Sequence, residues 1–382
     1  MQPRKIAFIR PGSSPANDRF IGVMETTFPD FQVDIIDVLH KKHLFEPLNI
    51  LTAVAYGITP RHLRDPETMK NRLTQTAYNF NRIKDTVRQH LSQGTYAFSL
   101  QIQSMFDASV PGIPHFVYTD HTELANLEYP SFDAASIDRR WIERETTIYR
   151  NACINFVRST NIQRSMIEKY GCSPEQVAIV YAGSNAGIDP DKQVNPEKYH
   201  SKNILFVGVD WERKGGPELV AAFQKVLQVH PDAHLYIVGC SPRVSVPNCH
   251  IIGKVPLAEV RSYYECSAVF CLPTRREPFG IVFIEAFSNK LPIVATDLGA
   301  IPDFVVHGES GYRVDPTHNS DQLADALIDL IGHPDKCRAF GERGYQIALH
   351  RYTWEHTGSL IRHSIEQALS TKHVAQKQFF SI

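Results

Sequence analysis

Between Asn203 and Ala295, short apolar runs alternate with stretches of helical periodicity, and this alternation restricts the chain to a small set of folds. Asn203–Gly208 (NILFVG), His234–Gly239 (HLYIVG), His250–Ile252, Ala268–Leu272 and Pro292–Ala295 read as strands. Pro217–Val229 reads as a helix, with Leu219, Val220, Phe223, Val226 and Leu227 on one face. Two further helices are expected near Leu257–Cys266 and from Gly280 onward. Strands alternating with helices imply an α/β fold with a parallel, doubly wound sheet.

The N-terminal half repeats the pattern less cleanly. Expected strands are Lys5–Ile9, Val33–Val38, Tyr96–Leu100, His115–Tyr118, Cys153–Val157 and Val177–Ala182. Helices are expected over Leu48–Tyr56, Glu67–Leu91, Ile137–Arg150 and Asn161–Tyr170. A polar segment with two prolines, Asp189–Lys202, reads as the linker between domains. The domains are therefore placed at 1–190 and 191–355, with a C-terminal helix, 356–382, packing back on the first. A length of 382 residues suits two such domains better than one core. Two open sheets facing each other across a deep cleft would bind ligands beyond the carboxyl ends of their strands.

Charge and cysteine content narrow the function classes. Forty Lys and Arg against 41 Asp and Glu leave a net charge of -1, which argues against nucleic acid as a partner. No apolar run reaches membrane-spanning length, and the apolar stretch at the start is too short for a signal peptide. Seven scattered cysteines without a CxxC pair favour reduced thiols and a cytoplasmic setting. No acidic cluster with an evident metal purpose is present, so neither metal nor cofactor is invoked. No G-x-G-x-x-G follows a strand, which disfavours a dehydrogenase.

Thr274–Thr296 (TRREPFGIVFIEAFSNKLPIVAT) carries the strongest chemical signal. A strand ends at Leu272, a loop holds Arg275, Arg276, Glu277 and Pro278, and a helix begins near Phe279-Gly280. A helix N-terminus offers free N–H groups and partial positive charge to a diphosphate, and Gly280 permits close approach. Glu285 sits among Val282, Phe283, Ile284, Ala286 and Phe287, in a helix apolar on nearly every face and hence buried. A buried carboxylate needs partners: an Arg or a capping backbone would serve structurally, and a ribose diol would serve functionally. Glu277 before the helix is by itself an ordinary first-turn acid; next to a bound diphosphate it could grip sugar hydroxyls.

The same segment resembles the E-x-F-G-…-E signature of glycosyltransferase family 4, a retaining group with the GT-B fold of two Rossmann-like domains. The resemblance continues through Asp297-Leu298-Gly299-Ala300 and His307–Tyr312, and upstream through Phe206–Gly216 (FVGVDWERKGG) and Ile237-Val238-Gly239. It covers about Asn203 to Thr353. It implies that Glu277 holds the donor hexose, that Phe279, Gly280 and Ile281 offer backbone contacts, and that Glu285 holds the ribose. Lys214, with Arg213 beside it and Gly208 ending the strand, would neutralise the diphosphate. In the first half, His121 after the strand His115–Tyr118 matches the family's histidine near donor sugar and acceptor, with Asp120 placed to orient it. Gly12, within Pro11–Ser14, stands where the family has a glycine pair. Asn185 and Gly187 fit the turn into the second domain.

The chain departs from the pattern at several positions. Val209 replaces an Arg directly after the strand glycine, Cys240 replaces an acid, and Lys290 replaces a glycine. The resemblance implies transfer of a hexose from a nucleotide-diphosphate sugar, UDP before GDP, to a hydroxyl of a glycan, lipid-linked or small-molecule acceptor. An epimerase of the same architecture and a catalytically weak sugar-nucleotide-binding subunit are the alternatives. The basic stretch Arg61, Arg64, Lys70, Arg72, Arg82, Lys84 and Arg88 reads first as a solvated helix face. Its sharper reading is peripheral contact with an anionic membrane at the cytoplasmic face.

Overall fold

The protein was analysed as a computed structural model that describes residues 4–39, 41–56, 66–184, 187–317 and 320–379. Arg61, Arg64 and Asn185 lie outside the described residues. The chain forms two compact units. One comprises Met1–Asn126, Asp133–Val180 and Thr357–Ile382; the other comprises Leu127–Phe132 and Tyr181–His356. Their division falls at Val180/Tyr181 and His356/Thr357, ten residues before the expected 190/191 and one after the expected 355/356, so the segment Asp189–Lys202 read as the linker lies within the second unit. The assignment of Leu127–Phe132 to the second unit had no counterpart in the sequence.

The first unit is built on β1 (Arg4–Arg10), α1 (Pro15–Thr27), β2 (Phe31–Asp37), α2 (Lys41–Leu44), α3 (Pro47–Ala55), α4 (Pro66–Thr74) and α5 (Ala77–Leu91). It continues with β3 (Tyr96–Ile102), β4 (His115–Thr119), α6 (Arg139–Asn151), β5 (Ile154–Val157), α7 (Thr160–Glu168) and β6 (Val177–Ile179). All strand pairs are parallel, in the order β2-β1-β3-β4-β5-β6. Ile6 to Ile9 of β1 are fully buried, as a central strand covered on both faces requires.

Two expectations needed correction here. The single helix Glu67–Leu91 is two helices, because Thr76 takes extended backbone and caps α5 by accepting from the Asn79 amide at 3.1 Å. No element was expected between Ile9 and Val33, yet α1 occupies it. Its signal was present: Ser14 accepts from the Asn17 amide as N-cap, and Pro15 follows in the first turn.

The second unit repeats the design with β7 (Asn203–Val207), α8 (Gly216–Val229), β8 (His234–Val238), β9 (Cys249–Gly253), α9 (Leu257–Cys266), β10 (Val269–Leu272) and α10 (Ile281–Ser288). It ends with β11 (Ile293–Thr296), α11 (Ile301–Phe304), β12 (Gly311–Val314), α12 (Ser320–Gly332) and α13 (Pro334–Arg351). The sheet is parallel in the order β12-β11-β10-β7-β8-β9. The sequence reading had assigned no secondary structure to β12, α12 or α13. α14 (Trp354–Phe379) starts in this unit, and from Thr357 onward it belongs to the first. There Arg362 donates to the Thr27 carbonyl at 2.7 Å, with its guanidinium over Phe28.

Each sheet reverses direction once. The chain moves outward from β1 to β2 and then crosses to β3; likewise it moves from β7 through β8 to β9 and crosses to β10. The carboxyl ends of β1/β3 and of β7/β10 are therefore the switch points where loops splay apart and leave room for ligands.

α1 is held by an aromatic stack, with the Phe20 ring lying parallel to Tyr118 at 4.5 Å and reaching Phe8 at 5.9 Å. Phe20→Ala is expected to cost about 3–4 kcal/mol. The measurement is the urea midpoint at unchanged m-value; a loss below about 1 kcal/mol would show that α1 does not depend on this ring.

Candidate active site

At the switch point of the second sheet, two loops leave adjacent strand ends. The loop after β7 spans 208–215 and the loop after β10 spans 273–280. They are tied together: the Arg275 amide donates to the Arg213 carbonyl at 2.8 Å, and Arg213 Nη1 donates to the Arg276 carbonyl at 3.0 Å. The Thr274 hydroxyl lies 2.9 Å from the Arg276 carbonyl. Gly215 has φ of +73°, and a Cβ there would sit 1.8 Å from the Pro273 carbonyl oxygen, so only glycine lets the loops approach this closely.

This juxtaposition brings Lys214 and Glu277 together. Lys214 Nζ donates to Glu277 Oε2, and the two side chains are only 11% and 7% exposed. Sequence reading had singled out both residues separately; their ion pair is a tertiary fact. An ammonium carries three donors, so this bond leaves Lys214 able to contact an anion as well. Around Glu277, its carbonyl packs against Gly299, and the buried Tyr129 ring faces Gly299 from the segment Leu127–Phe132. Burial and the Glu277 charge push the Tyr129 phenol well up.

α10 begins at Gly280, whose φ of +97° and lack of a side chain leave the helix without a side-chain cap. A Cβ at Gly280 would strike the Phe283 ring at 2.5 Å. The first turn of α10 thus presents its amides and partial positive charge beside Glu277. Phe279 is buried against Phe304 and Tyr352, so its contribution to a ligand is confined to its backbone. Ile281 follows, half-buried, as the first helical residue.

Glu285 is one turn further on. Its carboxylate accepts from the Tyr264 hydroxyl of α9 at 3.1 Å. No Arg pairs with it among the described residues. Burial raises its pKa and the Tyr264 bond partly offsets that; Tyr264 itself is pushed well up by burial and by Glu285. Tyr264 was missed by sequence reading, although an aromatic hydroxyl near the end of the preceding helix was the available signal.

Arg213 is engaged with Asp210 at 3.0 Å, in addition to Arg276. Val209 is 71% exposed directly after Gly208, and so offers an anion nothing. Arg276, next to Glu277 in the chain, is exposed. Sequence reading had given Arg276 no role, though its place next to Glu277 was visible.

In the first unit, His121 follows β4 and is half-buried. Its Nε2 lies 3.3 Å from Asn126 Nδ2, and its carbonyl accepts from the Thr119 hydroxyl at 3.1 Å. Asp120 does not orient it as expected: that carboxylate accepts from Arg158 at 3.1 Å. His115, expected to point elsewhere, is buried with Nδ1 at 2.9 Å from the Ser99 hydroxyl. Gly12 sits after β1 with no atom near where a Cβ would be, and its carbonyl accepts from Asn17 at 2.8 Å. Beside it, buried Arg10 ends β1 and pairs with Asp18 of α1 and with Asp37. Parallel register sets Arg10 directly opposite Asp37 at the end of β2.

The loop bearing His121 rests on a second buried carboxylate. Glu145 of α6 accepts from the Glu123 amide at 3.1 Å, from Tyr149 at 2.8 Å and from Tyr170. Burial outweighs these bonds and raises its pKa from 4.5 to about 7. The folded protein keeps this proton until about pH 7, whereas the unfolded chain releases it near 4.5, so folding takes up a proton in between. Stability should therefore fall as pH rises from about 4.5 to 7 and change no further above, by at most about 3 kcal/mol. Glu145→Gln should flatten that dependence in thermal melts; an unchanged slope would contradict the assignment.

Lys214→Met should leave Glu277 buried without its cation, at a cost of about 3 kcal/mol. Adding Glu277→Gln should recover at least about 1 kcal/mol of it in urea titrations. A single-variant cost under about 0.5 kcal/mol would mean the pair contributes no more than a surface ion pair.

Comparison with known proteins agrees with this geometry. Residues 188–347 match the family model "Glycosyl transferases group 1". D-inositol 3-phosphate glycosyltransferase of Corynebacterium aurimucosum is 25% identical over 282 residues, covering 66% of this chain and 66% of that relative, just under two thirds of its length. Sucrose-phosphate synthase of Thermosynechococcus elongatus superposes with a TM-score of 0.66 at 17% identity, covering 99% of this chain and 100% of that one. HepE of Anabaena, in complex with UDP and glucose, superposes with a TM-score of 0.61 at 15% identity, covering 95% and 99%. Residues 188–347 thus resemble the glycosyl transferases group 1 family, and the two parallel-sheet Rossmann-like domains of the chain are those of the GT-B fold.

Proposed function

We propose that the protein is a retaining hexosyltransferase of glycosyltransferase family 4, taking a nucleotide-diphosphate sugar as donor and a hydroxyl as acceptor. The observation that carries this reading is the buried Lys214–Glu277 pair at a sheet switch point, beside the uncapped N-terminus of α10. The relative is named a glycosyltransferase rather than an epimerase, which supports transfer to an acceptor. UDP is the preferred nucleotide, in keeping with the ligand of the Anabaena structure. The acceptor is a glycan, a lipid-linked sugar or a small polyol.

In this reading the bond from the anomeric carbon to the diphosphate oxygen stretches while positive charge grows on the sugar. Negative charge accumulates on the leaving phosphate. Lys214, held in place by Glu277, and the first amides of α10 stabilise it, and Arg213 or the neighbouring Arg276 adds a second cation. The acceptor oxygen forms the new bond to the anomeric carbon, and its proton passes to the leaving phosphate. Glu277 positions the sugar and the lysine, Glu285 takes the ribose hydroxyls, and Gly208 and Gly280 keep space for the ligand backbone. His121 and Gly12 serve the acceptor side. Charge neutralisation by these cations makes turnover independent of added metal, so it should persist in excess EDTA.

Calorimetric titration with a panel of nucleotide sugars, followed by addition of acceptors to the tight binder, tests the proposal. Failure of every nucleotide sugar to bind saturably would end it. Glu285→Ala should weaken binding of both the donor and the free nucleoside diphosphate by about tenfold or more, the loss of a charge-assisted hydrogen bond. Glu277→Ala should spare the nucleoside diphosphate and lower affinity or turnover for the intact donor. Equal losses for both ligands in both variants would refute this division of roles.

A further inference from the structure

β3 runs between β1 and β4 and ends at the switch point of the first sheet. The residue that leaves it, Gln103, has φ of +65°, in the left-handed region that residues other than Gly, Asn and Asp adopt only at a cost. Its surroundings hold it there. The Gln103 amide donates to the Tyr118 carbonyl at 2.8 Å. The Gln103 carbonyl accepts from Gln101 Nε2 at 2.7 Å, and the same nitrogen donates to the Phe106 carbonyl at 2.6 Å. Gln101 Oε1 accepts from the Ala108 amide at 3.0 Å, so a fully buried carboxamide is used entirely to shape the loop after β3. Glycine would take this turn without strain. A strained backbone kept under several restraints is characteristic of a position where one side chain must be presented.

The same loop is joined to His121. Ser104, next in the chain, donates from Oγ to the His121 carbonyl at 3.3 Å, and the Thr119 hydroxyl donates to that carbonyl as well. Gly12, Gln103 and His121 follow the ends of β1, β3 and β4, which are successive neighbours in the sheet, about 4.8 Å apart. Gln103 is half-buried, and among the described residues its carboxamide has no hydrogen-bond partner. Two charged groups on this edge are already engaged, Arg10 with Asp18 and Asp37, and Asp120 with Arg158. The group left to meet a ligand is therefore neutral and both donor and acceptor, the complement of a hydroxyl.

We propose that Gln103 is a specificity-determining residue of the acceptor side, its carboxamide binding the hydroxyls of an uncharged sugar or polyol beside His121. The inference rests on the transferase reading above and narrows its acceptor to neutral polyhydroxyl compounds. The N–H of the carboxamide donates to one hydroxyl oxygen, and its carbonyl accepts from a neighbouring hydroxyl.

Gln103→Gly and Gln103→Ala separate recognition from strain: both remove the carboxamide, and only glycine relieves the backbone. With the nucleotide sugar that binds tightest, transfer is measured to myo-inositol, to the methyl glycosides of glucose, galactose and mannose, and to glucose 6-phosphate, alongside donor hydrolysis without acceptor. The wild type should use a neutral acceptor in preference to glucose 6-phosphate. Both variants should raise the KM for that acceptor about fivefold or more, the loss of a hydrogen bond, and leave nucleotide binding and donor hydrolysis unchanged. Gln103→Gly should nonetheless melt a few degrees above Gln103→Ala. An acceptor KM that is impaired in Gln103→Ala and restored in Gln103→Gly would make the residue a fixture of the loop and overturn the proposal. So would equal losses of transfer and donor hydrolysis in both variants. Donor hydrolysis by a wild type that transfers to none of the neutral acceptors, or only to glucose 6-phosphate, overturns this inference alone. Failure of every nucleotide sugar to bind removes the transferase reading, and this inference with it.

Discussion

Because every strand in both sheets runs parallel to its neighbours, all strand carboxyl ends within a unit lie along one edge, and the chemistry of each unit collects there. In the second unit, β7 and β10 are adjacent in space, although β8, β9 and the helices α8 and α9 lie between them in the chain. Their loops supply Lys214 and Glu277 from opposite sides of the switch point. In the first unit the same rule places Arg10, Asp37, Gly12 and His121 at or beyond the ends of β1, β2 and β4. A parallel sheet buries both faces, so its edge of loop-bearing ends is the part of the unit where polar side chains can gather without disturbing the core.

Three carboxylates, two of them buried and Glu285 half-buried, show how differently such groups can be accommodated. Glu277 has a cation, Lys214, and sits where a further anion could share it. Glu285 has a phenol, Tyr264, and burial favours its protonated form. Glu145 has two phenols and a backbone amide but no cation, and burial shifts it to about 7. A full opposite charge offsets desolvation best, and neutral donors do so only in part. The last arrangement suits a group whose task is to hold the loop after β4.

Much of the second unit was legible in the sequence. Its strands are continuous apolar runs, and the helix α8 shows a clear buried face in Leu219, Phe223 and Val226. Gly280 marked a place where a ligand could approach the backbone closely. The first unit was harder to read because its elements are separated by polar helices and by a second cap. Thr76 divides one periodic stretch into α4 and α5, and the local pattern of apolar residues runs through the break. α3 misleads in another way: its pattern is that of a buried helix, but the rotation set by Asn49 turns that pattern outward.

The sequence alone determined the fold class, the order of the strands and helices from β7 to β11, and the identity of Lys214, Glu277, Gly280 and Glu285 as candidate site residues. The fold class and element order follow from local periodicity, and Gly280 and Glu285 from loop and helix chemistry, all of which act over a few residues; Lys214 and Glu277 were picked out by the resemblance to a known family. Tertiary structure decided that Lys214 and Glu277 form one buried pair, that Tyr264 rather than an arginine partners Glu285, and that Asp120 serves Arg158 rather than His121. It also decided which face of α3 meets the outside. The physical reason is that a side chain's partner depends on which strand ends and helix faces the topology brings together, and those neighbours lie far apart in the chain.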